Sequence, residues 1–144
     1  MLVRLLPEQI SVQWDMIKPA ILESLHSAHE EINTNETLTS LLNSSSQCWV
    51  SIRRNDGRDV IEGLVITMVT KDLFGEGKNL LIYSIYGYDL SNREAWEGGF
   101  KTIAIFAKSE GCSRVIGYTS VSSIIKLVES LGGDTSQRFI SIPV

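Results

Sequence analysis

Cysteine, histidine and long apolar runs are scarce in this sequence of 144 residues. Cys48 and Cys112 lie far apart and lack the C-x-x-C spacing of a zinc or redox site, so reduced, buried thiols are expected rather than a disulfide framework. His26 and His29 have no convincing third ligand beside them, and no metal site is predicted. No segment approaches the roughly 18 consecutive apolar residues of a membrane span. These absences exclude disulfide scaffolds, zinc modules and membrane proteins.

Basic residues are also few and scattered. The chain has 13 Lys and Arg against 17 Asp and Glu, and its formal net charge is −4. Arg53-Arg54 is the only adjacent basic pair, and Asp56 and Asp59 lie close to it. Affinity for nucleic acids depends on clustered cations, so no nucleic-acid partner is expected.

The remaining composition is that of an ordinary globular protein, with 43% hydrophobic and 21% charged residues. A chain of this length forms one domain with a core large enough to fold without disulfides or metal. The apolar segment Met1–Leu6 stops at Pro7 and is too short for a signal peptide. We therefore predict a single soluble domain over residues 1–144 that stays in the cytoplasm.

Hydrophobic spacing in the first third predicts a strand and two helices. Leu2–Leu6 has the composition of a short strand. Apolar residues then recur at helical spacing, at Ile10, Trp14, Ile17, Ile21 and Leu25. Because Pro19 would interrupt this helix, we expect it to begin near Asp15, so that Pro19 lies in the first turn, where its missing N–H costs little. A second helix is expected from Glu36 to Asn43.

The middle third is rich in β-branched and aromatic residues and predicts an antiparallel meander of three strands. The strands are Gln47–Arg53, Val60–Lys71 and Asn79–Asp89, with turn sequences between them. Their long apolar runs indicate burial on both faces, which requires helices on each side of the sheet.

The last third predicts two more helices, each followed by a strand. The segments are a helix from Asn92 to Glu110, a strand Arg114–Thr119, a helix capped by Ser120 or Ser122 and ending at Gly132, and a closing strand Arg138–Pro143. The predicted fold class is α/β, with a mixed and mostly antiparallel sheet flanked by helices on both faces, in the order β-α-α-β-β-β-α-β-α-β.

This succession resembles the GNAT superfamily of N-acyltransferases over essentially the whole chain. The similarity is sharpest from Ala107 to Thr119, which looks like the helix end, glycine turn and following strand of that family. Trp14 before Pro19, and Cys48-Trp49-Val50 on a strand, are similar to short GNAT-like proteins encoded by tailed bacteriophages. The resemblance implies a GNAT-like fold, an acyl-CoA cofactor and an amine acceptor.

In the family that this chain resembles, backbone N–H groups of a Q/R-x-x-G-x-G/A loop hold the pyrophosphate of the cofactor at the start of the long helix. The usual spacing places that loop at residues 91–96. Glu94 stands where a glycine is expected, and Trp96 fills the position of the last glycine or alanine. Both changes oppose binding of the cofactor.

The pair Gly98-Gly99, immediately downstream, has two interpretations. The two glycines could form a shifted phosphate loop, with Arg93 or Lys101 contacting a phosphate. Alternatively, they allow close packing of the helix against the sheet. We favour close packing, because a glycine weakens a helix and is kept where a side chain would collide.

The resemblance also implies an Asn and a proton-donating Tyr on the last helix. Counting back from Gly132 places Val128 at the Tyr position and Val121 near the Asn position, and neither side chain can donate a proton. An active protein would have to use a nearby hydroxyl group, that of Tyr118, Ser120 or Ser122.

A base that takes a proton from the incoming ammonium is a further requirement. Glu62 and Asp89 are the best-placed carboxylates, and the alternative for each is a solvated turn residue. Tyr88 belongs, with Tyr83 and Tyr86, to a group of tyrosines that could line a cofactor pocket or form a packing surface.

The candidate catalytic residues are thus Glu62, Asp89 and Tyr118, and the candidate cofactor-binding residues are Tyr88, Arg93, Gly98, Gly99, Ser120 and Ser122. The changed loop and the missing acid favour a degenerate acyl-CoA site in a non-catalytic binding or structural component, for example of a phage virion, that uses no cofactor. The alternative is a divergent acetyl-CoA-dependent N-acetyltransferase. A protein partner or self-association is expected, with Leu73-Phe74 either contacting that partner or folded back on the core.

Overall fold

The structure, a computed structural model, describes residues 1–26, 33–72, 75–87, 92–138 and 140–144, with residues 25 and 26 described by their backbone only. The elements are β1 (Leu2–Leu5), α1 (Pro7–His26), α2 (Thr34–Leu42), β2 (Gln47–Asn55), β3 (Arg58–Lys71), β4 (Lys78–Tyr86), α3 (Arg93–Ser109), β5 (Cys112–Gly117) and α4 (Ser122–Ser130). The predicted order of elements is confirmed from β1 through α4. Within these residues, no helix combines the length and the apolar character that crossing a bilayer requires.

The five strands form one sheet in the order β1-β2-β3-β4-β5. Neighbours from β1 to β4 are antiparallel, whereas β4 and β5 are parallel. The parallel pair follows from α3, because a helical crossover returns the chain to the same end of the sheet before the next strand begins. The predicted mixed sheet with one parallel crossover is therefore confirmed.

The turn between β2 and β3 has the backbone geometry that its sequence predicts. Asp56 and Gly57 both have positive φ, 51° and 75°, and Asn55 pairs with Arg58 across the turn. Two central residues with positive φ define the type I′ turn, whose twist matches that of the strands it joins. This tight hairpin extends β2 and β3 toward the site described below.

The start of α1 differs from the prediction, because the helix begins at Pro7 and not near Asp15. Proline suits the first helical position, since its φ is already helical and its missing N–H would have had no partner there. The N–H of Leu6 donates to Oε1 of Gln9 at 2.8 Å, which satisfies one more group at this end.

Pro19 consequently lies inside α1 and not in its first turn. A proline in a helix interior removes one backbone hydrogen bond and costs about 3 kcal/mol. Its neighbours Ile17, Ala20 and Ile21 are all buried against the sheet. Burial of this apolar stripe offsets the local cost, so the helix continues through the proline.

Helices α1 and α2 cover one face of the sheet, which we call the α1 face. Its buried core consists of Leu5, Ile10, Ile17, Ala20, Ile21, Leu41, Cys48, Val50, Leu64 and Ile66. Burial raises the pKa of the Cys48 thiol to about 12, so this thiol stays protonated and unreactive. Cys112 is also free but only half-buried, so the expectation of two buried thiols is confirmed for Cys48 alone.

Helix α3 covers the opposite face, which we call the α3 face. Its core contains Leu2, Trp49, Val65, Leu80, Ile103 and Ala107. Within α3 the buried residues are Ile103 and Ala107, whereas Trp96 is half-buried and the Phe100 side chain is 37% exposed. The helix is therefore anchored by its C-terminal half, and its first turns contribute little to the core.

The chain after β5 departs most from the prediction. Neither Ser120 nor Ser122 caps α4. Val121 occupies the N-cap position without a side-chain bond, and its N–H donates to Oγ1 of Thr119 at 3.1 Å. The predicted closing strand Arg138–Pro143 is also wrong, because residues 133–138 and 140–144 form no strand. An alternating apolar pattern forms a strand only where it pairs with a neighbouring strand, and the described residues of this segment belong to no ladder.

Candidate active site

The unit β4-α3-β5 determines where a site can form. Because β4 and β5 are parallel, their carboxyl ends lie at the same end of the sheet, and the N-terminus of α3 lies there too. In open α/β sheets, ligands bind in the crevice outside the carboxyl ends of the strands. The search for functional residues therefore begins at this end.

A β-bulge separates β4 from β5 at this end. Ile82 pairs with Thr67 of β3, but the next pair joins Ser84 to Ile66, so Tyr83 is an extra residue in β4. The pairing of β4 with β5 ends at the same place, with Ile82 opposite Gly117. Bulges bend a strand and increase its twist. Residues 84–86 of β4 consequently extend beyond the last pair with β5, and we call this unpaired end of the two strands the opening.

Buried hydrogen bonds fix β3 directly beside this bulge. Nε1 of Trp49 donates to Oγ1 of Thr67 at 2.9 Å, and that hydroxyl donates to Oε1 of Gln47 at 2.9 Å. Thr67 is fully buried, and it pairs with Ile82, the last regular residue before the bulge. The position of the opening is thus held by satisfied polar groups as well as by apolar packing.

Next to the opening lies a cavity of about 310 Å³. Three parts of the fold line it, namely the β2–β3 hairpin, the end of β4 and the start of α3. The lining residues are Arg53, Val60, Ile61, Glu62, Tyr86, Gly87, Asn92 and Ala95. The cavity thus lies at the carboxyl end of β4, beside the start of α3.

Glu62, the predicted base, lies in the wall of this cavity. A second bulge places it there, because Ser51 pairs with Gly63 and Ile52 pairs with Ile61, which leaves Glu62 as an extra residue of β3. The buried Ser51 hydroxyl donates to Oε1 of Glu62 at 2.8 Å. That bond orients the carboxylate, which can accept a proton from a group in the cavity.

Gly87 brings the end of β4 close to Glu62. Its φ is +78°, and a Cβ at this position would lie 2.8 Å from the carbonyl oxygen of Glu62. Only glycine adopts this conformation and tolerates this contact without a shift of the backbone. The sequence analysis missed Gly87. Its place inside the predicted strand Asn79–Asp89 was the available signal, because a glycine within a strand often marks a close backbone approach.

The start of α3 forms another wall of the cavity. Oδ1 of Asn92 accepts a hydrogen bond from the Ala95 N–H at 3.2 Å, which caps the helix. The N–H groups of the first turn have no partner within a helix and form an anion site. Glu94 lies in this turn, where its charge stabilises the helix and opposes an anion. Arg93 is paired with Glu97 at 2.7 Å.

Gly98 and Gly99 are the sixth and seventh residues of α3. Their N–H groups therefore belong to the i→i−4 ladder, and the shifted phosphate loop does not form. Close packing does not describe Gly98 either, because a Cβ there would meet no atom within 4 Å. At Gly99 a Cβ would make an ordinary contact with Leu2 at 3.8 Å. Lys101, the alternative phosphate ligand, is exposed one turn after Glu97.

The three hydroxyl candidates follow the carboxyl end of β5. Tyr118 comes directly after β5 with 68% of its surface exposed, and Ser120 lies in the exposed segment before α4. Ser122 is the first residue of α4. All three lie on the segment that leaves the sheet at the opening. Val128, at the position where the family has its acid, is half-buried.

Several predicted residues lie outside the described part of the chain. Among the site residues they are Tyr88 and Asp89, and among the others they are His29, Leu73 and Phe74. The roles proposed for these residues stay predictions.

No protein-family model matches the sequence, and no curated protein is similar to it in sequence. Solved structures similar in fold include acetyltransferases. An aminoglycoside acetyltransferase from an uncultured soil metagenomic sample is 13% identical, with a TM-score of 0.70 over 100% of this chain and 97% of that one. A ribosomal-protein-alanine N-acetyltransferase from Brucella melitensis biovar Abortus 2308 is 13% identical, with a TM-score of 0.68 over 100% and 99%. Aminoglycoside N-acetyltransferase AAC(6')-Iy in complex with CoA is 12% identical, with a TM-score of 0.72 over 100% and 93%.

The chain therefore has the GNAT fold that its sequence resembles. The expectation of a non-catalytic component without a cofactor is corrected by these likenesses, since the three structures named are acetyltransferases and one of them is a complex with CoA. Glu94 and Trp96 replace small residues at the start of α3 only. The opening between β4 and β5 arises from strand pairing and depends on neither residue.

Proposed function

We propose that this protein is an N-acyltransferase that transfers the acetyl group of acetyl-CoA to a primary amine. The observation that carries the proposal is the opening between β4 and β5, which begins at the Tyr83 bulge and has Glu62 beside it. A bulge at this place re-aims the strand toward a ligand, as bulges next to active sites commonly do.

The residues at the opening fit the amide-containing arm of CoA. An extended chain with amide groups adds to an uncovered strand edge through backbone hydrogen bonds, as peptides do in β-augmentation. Residues 84–86 of β4 provide such an edge beyond the last pair with β5. The pyrophosphate would lie at the first turn of α3, where Glu94 weakens the anion site without blocking the backbone N–H groups.

When bound, acetyl-CoA supplies an activated acetyl thioester. Glu62 accepts a proton from the substrate ammonium, directly or through one water, and so frees the nitrogen lone pair for attack. Tyr118, at the end of β5, would donate a proton to the sulfur as the C–N bond forms and the C–S bond breaks, and it would regain a proton from the second one that the nitrogen loses. Ser51 keeps the Glu62 carboxylate turned into the cavity through its hydrogen bond.

Calorimetric titration with acetyl-CoA and a thiol-release assay with a panel of primary amines test this proposal. Micromolar binding and amine-dependent release of CoA are expected. Glu62→Gln should keep the binding and lower turnover about 100- to 10,000-fold, the usual contribution of a general base. Glu76→Gln, in the exposed turn at the opposite end of β4, is the control and should change neither. The absence of binding at millimolar acetyl-CoA would refute the proposal.

Self-association stays a prediction that the exposed C-terminal region supports. Helix α4 has no buried residue, and the side chains of Ile140 and Ile142 are 87% and 84% exposed. Light scattering after size-exclusion chromatography tests it, and a monomer at all concentrations would contradict it. The cytoplasmic location and the resemblance to phage proteins likewise stay predictions.

A further inference from the structure

We infer that the acceptor is a small zwitterion, an α-amino acid or a similar amino-carboxylate, whose amine faces Glu62 and whose carboxylate binds Arg53. This inference rests on the proposed N-acyltransferase function and assigns the class of its acceptor. The basis of the inference is the pair of opposite charges, Arg53 and Glu62, in the wall of the cavity.

Arg53 and Glu62 lie on neighbouring strands and face the same cavity. Ser51, whose hydroxyl bonds to Glu62, is two residues before Arg53 on β2. Side chains at i and i+2 of a strand lie on one face, so Arg53 lies on the same face as the bond that holds Glu62. Arg53 pairs with Val60, two residues before Glu62, and two residues of a strand span about 7 Å. That separation suits the two ends of a small molecule.

Arg53 is a cation without a protein counterion in the described part of the chain. The neighbouring Arg54 is the residue that pairs with Asp59, at 4.0 Å on the outside of the hairpin. Arg93 at the opposite wall is neutralised by Glu97. The guanidinium of Arg53 therefore remains for a ligand, and its planar donor fork matches a carboxylate in two parallel hydrogen bonds.

Among the described residues that line the cavity, Arg53 is the one cation and Glu62 is the one carboxylate. A polyamine or an aminoglycoside carries several ammonium groups, and one of them would face Arg53 with like charge. A protein N-terminus has no carboxylate next to its amine. The volume of about 310 Å³ lies at the lower end of small-molecule sites, and Val60 provides apolar surface for a side chain.

A thiol-release assay with phenylalanine, phenylalanine amide and spermidine tests this inference. The native protein should use phenylalanine at least about tenfold better than the amide, since a charge-assisted hydrogen bond is lost. Arg53→Ala should raise the KM for phenylalanine to that of the amide and leave the amide unchanged, and Arg53→Lys should recover part of the preference. Arg54→Ala is the matched control and should alter neither acceptor. Thermal melting confirms that each variant is folded.

The outcomes separate this inference from the proposed function. Equal or better use of the amide or of spermidine by the native protein overturns the zwitterion and leaves the acyltransferase intact. Binding of acetyl-CoA without turnover of any of the three acceptors also overturns it. Failure of acetyl-CoA to bind in calorimetry refutes the proposed function itself, and the inference with it.

Discussion

Helices α1 and α4 both have apolar residues at helical spacing, yet these residues are buried in α1 and not in α4. In α1 the side chains of Ile10, Ile17 and Ile21 are at most 1% exposed, whereas α4 has no buried residue. The cause is position, because α1 lies across the central strands β3 and β4, and α4 follows the edge strand β5. An amphipathic pattern predicts a helix, but the surface beneath that helix decides how much it contributes to stability.

By burial, we divide the molecule into a well-packed part, called the body, and a poorly packed part, called the margin. The body consists of the sheet with α1, α2 and α3, whose buried residues form the two cores. The margin consists of α4 and the segment that follows, in which no described residue is buried. Regions of low local stability are where ligand-dependent ordering occurs.

Truncation of one isoleucine in each helix gives the largest expected contrast. Ile17→Ala in α1 should lower the free energy of unfolding by about 2–5 kcal/mol, because it leaves a cavity in a fully buried site. Ile125→Ala in α4 should cost about 1 kcal/mol or less, since that side chain is only half-buried. Urea denaturation measures both values, and equal losses would contradict the division.

Hydrogen exchange sharpens the same comparison without a mutation. Amides in α1 should exchange at rates set by global unfolding, and those in α4 should exchange at least about a hundredfold faster through local opening. Saturating acetyl-CoA should slow exchange in β5 and α4 more than in α1, because bound ligand stabilises the part of the chain that contacts it. Uniform protection across both helices would show that no separate margin exists.

A pair of glycine substitutions tests the end of β4, a part of the body that lines the proposed site. Gly57→Ala in the hairpin turn should cost about 1–2 kcal/mol, the strain of a left-handed conformation, because a Cβ there meets no other atom. Gly87→Ala has the same strain and adds the contact with the Glu62 carbonyl. It should therefore destabilise the protein more and also lower acetyl transfer. Equal stability of the two variants, with full activity, would remove Gly87 from the site.

The smallest expected effect is a gain in stability. Gly98→Ala should raise the free energy of unfolding by about 1 kcal/mol, because alanine is the better helix former and the space beside Gly98 is open. Thermal denaturation measures the gain. A loss of stability would indicate that the first turns of α3 pack more tightly than the structure shows.

The sequence predicted the elements whose signals are local. The Asp56-Gly57 turn, the helix that starts near Asn92 and the apolar strands are properties of short segments, and the structure agrees with all of them. The start of α1 and the strand at 138–143 were wrong because they depend on tertiary context. Burial beneath α1 outweighs Pro19, and a strand requires a partner edge, with which the described residues 138 and 140–143 do not pair.

The site was predictable only in part. Glu62 was selected as a carboxylate near the centre of the sheet, and the structure places it in the cavity wall. Gly87 and Arg53 were not selected, because one acts through a backbone approach and the other through its lack of a counterion. Both properties appear only when strands that are distant in sequence lie side by side.

The two bulges also change the phase of the hydrophobic alternation. Ile61 and Leu64 lie three residues apart and both pack on the α1 face, and Ile82 and Ile85, also three apart, both pack on the α3 face. In a regular strand such spacing would send one member of each pair to the opposite face. The sequence signal of the bulge in β4 is thus the three-residue interval from Ile82 to Ile85, where a regular strand would have an interval of two or four. Deletion of Tyr83 alone should restore even spacing, realign β4 with β5 and close the opening, with every side chain named in the cavity still present.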